Sequence, residues 1–178
     1  MKKLLSLLVV LVLFAGFSNA QSKITLGVGG SLALPLGTFA DAASMGFGGL
    51  VRGEMGFGSV VGTASLGYLT FSGKDIDLGG GTTLKTTYSD IPILVGAKYS
   101  FAPGFYGSAE VGLNMLTFSA DVSGISVSTS ETQFGFAIGA GYQIQAFDIS
   151  LKYQNLGTPS GGDALNCIGL NVLYCFGI

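Results

Sequence analysis

The sequence contains no histidine and no tryptophan, and only 10% of its 178 residues are charged. Soluble domains carry about 25% charged residues, so these charges are too few to cover the solvent face of a soluble protein of this size. The missing histidine removes the commonest general base and the commonest metal ligand. Because a serine hydroxyl is a poor nucleophile without such a base, we predict no catalytic residue, no metal site and no cofactor.

Long hydrophobic runs are missing after the N-terminus, although 48% of the residues are hydrophobic. A membrane-spanning helix needs about 20 consecutive apolar residues. A closed β-barrel is the other structure that satisfies every backbone polar group in lipid. Thirty glycines and four prolines are typical of a strand-and-turn protein with a crowded interior. The composition therefore favours a single membrane barrel domain.

The N-terminus has the three regions of a secretory signal peptide. It begins with the basic residues MKK, continues with an almost wholly apolar run over residues 4–17, and has small residues at the positions before the cleavage site. We predict a signal peptide over residues 1–20, cleavage between Ala20 and Gln21, and a barrel domain over residues 21–178. The alternative is a membrane anchor helix, which the short apolar run and the cleavage site argue against.

Removal of the signal peptide leaves six basic residues against ten acidic ones, because both lysines at its start are lost. The mature chain then has a net charge of −4. Nucleic acid requires clustered lysine and arginine to neutralise its phosphates. We therefore expect no nucleic-acid partner.

Alternation of apolar and polar residues, the period of a β-strand between two unlike environments, recurs eight times after residue 21. The predicted strands are about 23–34, 45–57, 60–72, 88–101, 105–119, 132–144, 147–153 and 166–178. Short connections at 58–59, 102–104 and 145–146 alternate with long connections rich in Gly, Ser, Thr and Asp, at 35–44, 73–86, 120–131 and 155–165. The long connections are typical of exposed loops. Short turns at one end, long loops at the other and an even strand number predict an all-β fold, an eight-stranded antiparallel up-and-down transmembrane β-barrel.

The fourth predicted strand carries a recognisable motif, Tyr88-x-x-Ile-Pro-Ile-Leu-x-Gly-x-Lys-Tyr. It resembles a strand of the small outer-membrane β-barrel proteins of Bacteroidota-type bacteria, and the overall plan is similar to OmpA- and OmpX-type barrels. The resemblance covers the mature chain in architecture but only this strand in motif. It implies a place in the outer membrane of a Gram-negative cell, with outer-membrane lipid, lipopolysaccharide and the barrel-assembly machinery as partners. The chain departs from many such barrels in ending on Ile178 rather than on an aromatic residue.

The strand parity places charged side chains inside the barrel. The predicted interior charges are Arg52, Glu54, Lys98, Glu110 and Lys152, with Asp90 and Asp148 nearer the rims. A lysine or arginine facing mid-membrane lipid would cost about 2–4 kcal/mol, whereas interior charges can pair with one another. Since an eight-stranded barrel is about wide enough for its side chains to fill it, we predict a packed polar core of ion pairs. The alternative is a gated or proton-selective path along the same charges.

Three smaller features follow from the same parity. We predict an aromatic girdle at the periplasmic boundary, formed by Phe57, Phe101, Phe105, Phe147 and Phe176. The alternative is that aromatic residues favour strands anywhere. Leu69 and Phe71 break the alternation of apolar and polar residues near the far end of the third predicted strand. Cys167 and Cys175 lie eight residues apart on one strand, roughly 26 Å at 3.3 Å per residue, which is too far for a disulfide and predicts two free thiols.

Three functional hypotheses are compatible with this fold. The first is a non-enzymatic surface protein, structural or adhesive, that binds through its long loops. The second is a narrow transporter for a small or apolar solute. The third is a soluble, lipocalin-like barrel in which the faces are inverted and the apolar residues point inward.

Overall fold

The structure is a computed structural model that describes residues 24–74, 76–77, 83–122 and 125–177. Its strands are β1 (Ile24–Leu36), β2 (Ala43–Phe57), β3 (Val60–Gly73), β4 (Ile76–Asp77), β5 (Thr83–Ala102), β6 (Phe105–Val122), β7 (Ile125–Ile144), β8 (Phe147–Asn155) and β9 (Asn166–Gly177). One five-residue helix, α1 (Thr38–Ala42), lies between β1 and β2. The predicted signal peptide and its cleavage site lie outside the described residues.

Eight long strands close into a barrel in which every pairing is antiparallel. Apart from the short β4, successive strands pair with each other, β1 pairs with β9, and β3 pairs with β5 across the second long connection. The ninth strand, β4, has only two residues and pairs with the start of β5. The predicted eight-stranded up-and-down barrel is therefore confirmed, with β1–β3 and β5–β9 as its strands. No helix in the described ranges is long and apolar enough to cross a membrane.

The two faces of the sheet have the predicted chemistry, as β5 illustrates. Ile93, Val95 and Tyr99 are 44–57% exposed on the outer face, whereas Lys98 between them is 3% exposed. The same alternation of exposed and buried residues runs along β8 and β9. Because Arg52, Glu54 and Lys98 are buried inside the barrel and its outer face is apolar, the hypothesis of a soluble barrel with these charges in water is wrong.

The three short connections are two-residue turns. Gly58 and Gly104 have positive φ angles of 70° and 79°, which glycine adopts without a steric cost. The third turn has Gln145 in this region, with φ 52°. The predicted three-residue turn at 102–104 is one residue shorter, because Ala102 pairs with Phe105 after a register shift on β5.

The predicted long loop 120–131 is mostly strand, and part of the predicted loop 73–86 is strand as well. The segment 120–131 was expected to be a loop, but β6 continues to Val122 and β7 begins at Ile125. Likewise β5 begins at Thr83, within the predicted loop 73–86. Residues 126–130 are exposed on both faces of the sheet, which is consistent with their Ser- and Thr-rich composition, and threonine favours strands. In these residues composition indicated exposure correctly but did not indicate the backbone pairing of β7 with β6.

The three consecutive strands β5, β6 and β7 project beyond the rest of the barrel at the end that carries the long connections, called here the long-loop end. Strands β5 and β7 have 20 residues each, whereas β8 has 9. At about 3.3 Å per residue these lengths are roughly 66 Å and 30 Å. Strand β8 pairs with β7 only from Phe136 onward, so residues 125–135 of β7 have β6 as their only strand neighbour within the described part of the chain.

Candidate functional site: the barrel lumen and its mouth

The half of the lumen nearest the short turns contains a cluster of buried ion pairs. Arg52 Nε and Lys98 Nζ donate hydrogen bonds to Glu54 Oε1 at 2.7 and 2.6 Å. Lys98 Nζ also donates to Asp148 Oδ2 at 2.7 Å. Arg52 Nη2 lies 2.9 Å from the same carboxylate oxygen as an ion pair. Strands β2, β5 and β8 supply these side chains, so the cluster links strands on different sides of the barrel.

Tyr106 on β6 completes this cluster. Its hydroxyl donates a hydrogen bond to Asp148 Oδ1 at 2.7 Å, and Lys98 Nζ lies 4.3 Å from its ring centroid. That distance is within the range of a cation–π interaction. The ring occupies the space above Gly141, where a Cβ atom would overlap it. Strand parity alone places Tyr106 in the lumen but does not identify its two partners.

A second ion pair lies beside the first cluster. Lys152 Nζ donates a hydrogen bond to Glu110 Oε2 at 2.7 Å. The Thr63 hydroxyl donates to the other oxygen of Glu110 at 3.4 Å. The ion pair joins β6 and β8, and the hydrogen bond from Thr63 joins both to β3.

The five residues predicted from parity as interior charges are all buried, and each takes part in an ion pair with another lumen residue. Asp148, which the sequence placed nearer a rim, is 0% exposed and contacts both Arg52 and Lys98. Three cationic and three anionic groups therefore face each other in this half of the lumen. Such an arrangement compensates the desolvation of each charge and holds the strands together.

Asp90 is the remaining lumen carboxylate and differs from the others. It is 1% exposed, and neither carboxylate oxygen has a hydrogen-bond partner among the described residues. The register of β5 places it directly beside Leu69 on β3 and Leu116 on β6. The sequence placed Asp90 near a rim in a polar core, but its immediate strand neighbours are apolar.

An apolar plug, which the sequence reasoning missed, fills the half of the lumen nearest the long loops. Its buried members are Ala33, Phe39, Ala43, Leu69, Phe71, Leu116, Leu156 and Cys167. The ion pairs therefore occupy only the other half of the lumen, and the predicted polar core does not extend through the whole of it. Leu69 and Phe71 do not break the alternation of β3, because both lie at lumen-facing positions and are 3% and 1% exposed. The sequence signal for the plug was the presence of two large apolar residues at positions that the alternation of β3 assigns to the lumen.

Only a small cavity separates the ion pairs from the plug. Its volume is about 30 Å³, and its lining includes Ser31, Asn114, Glu110 and Lys152. The Ser31 hydroxyl and the Asn114 amide nitrogen have no hydrogen-bond partner within the described structure. A cavity of this size with unpaired polar groups on its wall suits one or two buried waters. It does not provide a continuous passage along the lumen.

Above the plug, the mouth of the barrel has an open pocket of about 370 Å³. One wall is formed by α1 and by the ends of β5 and β6, with Phe39, Tyr88 and Phe118. The ring centroids of Phe39 and Tyr88 are 5.7 Å apart, and those of Tyr88 and Phe118 are 5.5 Å apart. The facing wall is the β8–β9 loop, where Asp163 lines the pocket.

Backbone hydrogen bonds hold the β8–β9 loop across the mouth. Leu156 N donates to Leu165 O at 2.8 Å, and Leu165 N donates to Gly157 O at 2.9 Å. Ser160 N donates to Glu131 Oε2 on β7 at 2.9 Å. The loop is therefore fixed both at its base and to the projecting sheet, which defines the shape of the mouth pocket.

The five phenylalanines predicted to form a girdle all lie next to a short turn or at the adjoining end of β9. They are Phe57, Phe101, Phe105, Phe147 and Phe176, and each is 42–62% exposed. Tyrosine rings contact three of them. The ring centroids of Phe105 and Tyr142 are 4.5 Å apart, and Tyr174 lies 5.6 Å from Phe147 and 6.4 Å from Phe176. Their position at a lipid–water boundary stays a prediction.

Both cysteines are free thiols buried on the lumen face of β9. Cys167 Sγ donates to Gln154 Oε1 at 3.4 Å. Across the described ranges, no three histidine, cysteine or acidic side chains are grouped closely enough to hold a metal ion. The charged lumen groups that the structure describes are instead ion-paired with one another, apart from Asp90.

A closed eight-stranded barrel with an apolar outer face and ion pairs in its lumen defines a small transmembrane barrel of the bacterial outer membrane. The chain belongs to the outer membrane protein beta-barrel domain family, whose model matches residues 5–176. No curated protein matches the sequence closely enough to count as a relative.

Several solved structures share the fold at low sequence identity. The attachment invasion locus protein Ail of Yersinia pestis, solved in complex with the heparin analogue sucrose octasulfate, has a TM-score of 0.58 and 16% identity over 87% of this chain and 97% of Ail. Neisserial surface protein A has a TM-score of 0.56 and 11% identity over 87% and 97%. The N-terminal barrel domain of Pseudomonas aeruginosa OprF has a TM-score of 0.52 and 17% identity over 88% and 100%. At these identities the similarity shows the fold alone.

Proposed function

We propose that this protein is a non-enzymatic outer-membrane protein that acts at the cell surface, as a binding or structural element, through the segments at its long-loop end. The observation that carries this proposal is the contrast between a filled lumen and a projecting sheet. The lumen holds ion pairs on one side of a cavity of about 30 Å³ and an apolar plug on the other. The sheet of β5, β6 and β7 extends well beyond the shorter strands.

The projecting part of β7 is suited to contact with another molecule. Its residues 125–135 have no strand partner on the side away from β6 within the described structure, although the β8–β9 loop contacts it near Glu131. Val127 is 67% exposed. A free strand edge offers backbone donors and acceptors to an extended segment of a partner. Neither proline nor lysine, the residues that commonly protect such edges, occurs between residues 125 and 135.

The charge of the long-loop end favours a neutral or basic partner. Its acidic residues with described side chains are Asp41, Asp121, Glu131 and Asp163, and its basic ones are Lys74 and Lys85. Sucrose octasulfate, the ligand in the Ail complex, is a polyanion. An acidic surface of this kind repels polyanions, so we do not extend that ligand class to this chain.

The proposal includes the processing and the partners expected of such a protein. Cleavage after Ala20 would release a mature chain that starts at Gln21 and is inserted by the barrel-assembly machinery. The exposed apolar band would contact outer-membrane lipid, and lipopolysaccharide would surround the projecting sheet. N-terminal sequencing of the protein from purified outer membranes tests the processing, since an intact MKK start would contradict it.

A shortened hairpin tests the surface role. Residues 120–127 are replaced by Asn-Gly, because Ser119 pairs with Ser128 and a two-residue turn fits that register. Cells that display the wild type or the variant are scored for adhesion to arrays of immobilised proteins and glycans. We expect the wild type to bind at least one target class and the variant to lose it at equal surface level, shown by heat-modifiable migration. Equal adhesion by cells without the protein would contradict the proposal.

A further inference from the structure

The pocket at the barrel mouth is lined by aromatic side chains and by a carboxylate. Three aromatic side chains, Phe39, Tyr88 and Phe118, line one side of it. Phe39 is 2% exposed and is fixed by its contact with Phe71, whose ring centroid is 5.1 Å away. The aromatic wall is thus part of the packed plug rather than a mobile loop. A volume of about 370 Å³ is in the range of small-molecule sites.

Among the described residues, one charged side chain lines the pocket, and it is the carboxylate of Asp163. Asp163 lines it from the β8–β9 loop, and Asp41 is an exposed residue of α1, whose neighbours Thr38, Phe39 and Ala42 line the opposite wall. No lysine or arginine lines the pocket within the described structure. The Asp163 carboxylate has no hydrogen-bond or ion-pair partner among the described residues. It is therefore available to a ligand that enters from solvent.

We infer that the mouth pocket binds a small organic cation of the quaternary ammonium type, such as choline. Aromatic faces attract such cations through the ring quadrupole, and a nearby carboxylate adds direct charge attraction. A primary ammonium ion is more strongly hydrated, whereas a trimethylammonium group also buries methyl surface against the rings. The inference rests on the proposed surface-binding role and names a ligand class for the mouth, at a place separate from the β7 edge.

The experiment compares choline with its uncharged isostere, 3,3-dimethylbutan-1-ol, because the two differ in the central atom and its charge. The full-length protein is refolded in octyl glucoside, which carries no choline group, and titrations are followed by the NMR shifts of its aromatic and backbone resonances. We expect choline to bind about tenfold more tightly than the isostere, with the largest shifts at Tyr88 and Phe118. Equal affinity for both, or no saturable binding of choline, would overturn the inference.

Two substitutions locate the site. Asp163→Asn changes only an exposed loop carboxylate and is expected to weaken choline binding roughly fivefold without changing the binding of the isostere. Asp121→Asn removes an acidic residue from the same end of the barrel that does not line the pocket, and serves as the matched control. Equal weakening by both substitutions would indicate general surface charge and would contradict a defined site.

The hairpin variant separates this inference from the proposed function. The replacement of residues 120–127 leaves Phe118 and the β8–β9 loop in place, so choline binding should persist while adhesion is lost. If the wild type adheres to its target but binds choline no more tightly than the isostere, the inference about the mouth pocket is overturned and the proposed function is not. Loss of adhesion in cells that carry Asp163→Asn would mean that the mouth pocket is itself the adhesive site.

Discussion

Lys152 Nζ lies 2.7 Å from Glu110 Oε2, and the two side chains are only 3% and 2% exposed inside the barrel. Removal of one partner leaves the other charge buried with little compensation, since among the described residues Glu110 would retain only the Thr63 hydroxyl at 3.4 Å. We expect Lys152→Met to lower the free energy of unfolding by about 3–5 kcal/mol. Urea titration in lipid vesicles, followed by heat-modifiable gel migration, measures this change.

The double variant Lys152→Met with Glu110→Met provides the internal comparison. Replacement of a buried ion pair by apolar residues of similar volume is often neutral or stabilising, so we expect the double variant to recover most of the loss. Lys85→Met, at an exposed position on β5, is the matched control and should change stability by less than about 0.5 kcal/mol. A single variant no less stable than Lys85→Met would contradict the structural role of the pair.

Asp90 should respond in the opposite way. Its carboxylate has no hydrogen-bond partner among the described residues and lies between Leu69 and Leu116. Replacement of an unsatisfied buried polar group by an apolar one removes a desolvation penalty, so Asp90→Leu is expected to stabilise the barrel by about 1–3 kcal/mol. The comparison is Asp148→Leu, which breaks two ion pairs and should destabilise it. Equal losses for both variants would show that Asp90 has a stabilising partner.

A side chain at Gly141 should destabilise the barrel, because the ring of Tyr106 occupies the space where a Cβ atom would lie. Gly141→Ala would displace that ring from Asp148 and Lys98, and we expect a loss of about 1–3 kcal/mol in the free energy of unfolding. At Gly53 the nearest atom to an added Cβ is 3.9 Å away. Gly53→Ala should therefore be neutral, and a similar loss at both positions would point to strand propensity instead of contact with Tyr106.

The β-turn between β7 and β8 can be improved. Gln145 has φ 52°, a conformation that glycine adopts without steric cost at the first position of a tight hairpin turn. We expect Gln145→Gly to raise the free energy of unfolding by roughly 0.5–1 kcal/mol. Gln143→Gly, two residues earlier within strand β7, is the control and should lower it. Destabilisation by both substitutions would mean that the Gln145 side chain contributes more than its backbone strain costs.

The outer face of the barrel could be predicted from sequence because lipid imposes one rule on every strand. Val95 and Tyr99 point outward and Lys98 inward for the same reason, so parity counted through the short turns was sufficient. The lumen obeys no single rule, since its content depends on which side chains meet across the barrel. Asp148 and Tyr106 meet from β8 and β6, and no local pattern in either strand encodes that contact.

The mouth was the hardest region to predict. Phe39 lies in a ten-residue segment whose small and polar neighbours are typical of a loop, yet α1 turns its ring into the plug. The strands near Ser128 and Thr129 look equally loop-like, but their pairing with Ser119 and Phe118 continues the sheet. In both places long-range contacts determine the structure, whereas local composition indicates only that the surrounding residues are exposed to solvent.

Conductance tests the filled lumen directly. Purified protein in planar bilayers should show no steady nanosiemens conductance, because the ion-pair cluster and the apolar plug block the lumen in series. Replacement of Leu69 and Leu116 by serine would hydrate the plug but leave the ion pairs, whereas replacement of Arg52, Glu54, Lys98 and Asp148 by serine would leave the plug. The variant with serines in the plug and the variant with serines in the ion-pair cluster should each remain closed, and only the variant that carries both sets of substitutions should conduct.

Steady conductance by the wild type would support a pore. Conductance by the variant with serines in the plug alone would mean that the ion-pair cluster does not seal the lumen.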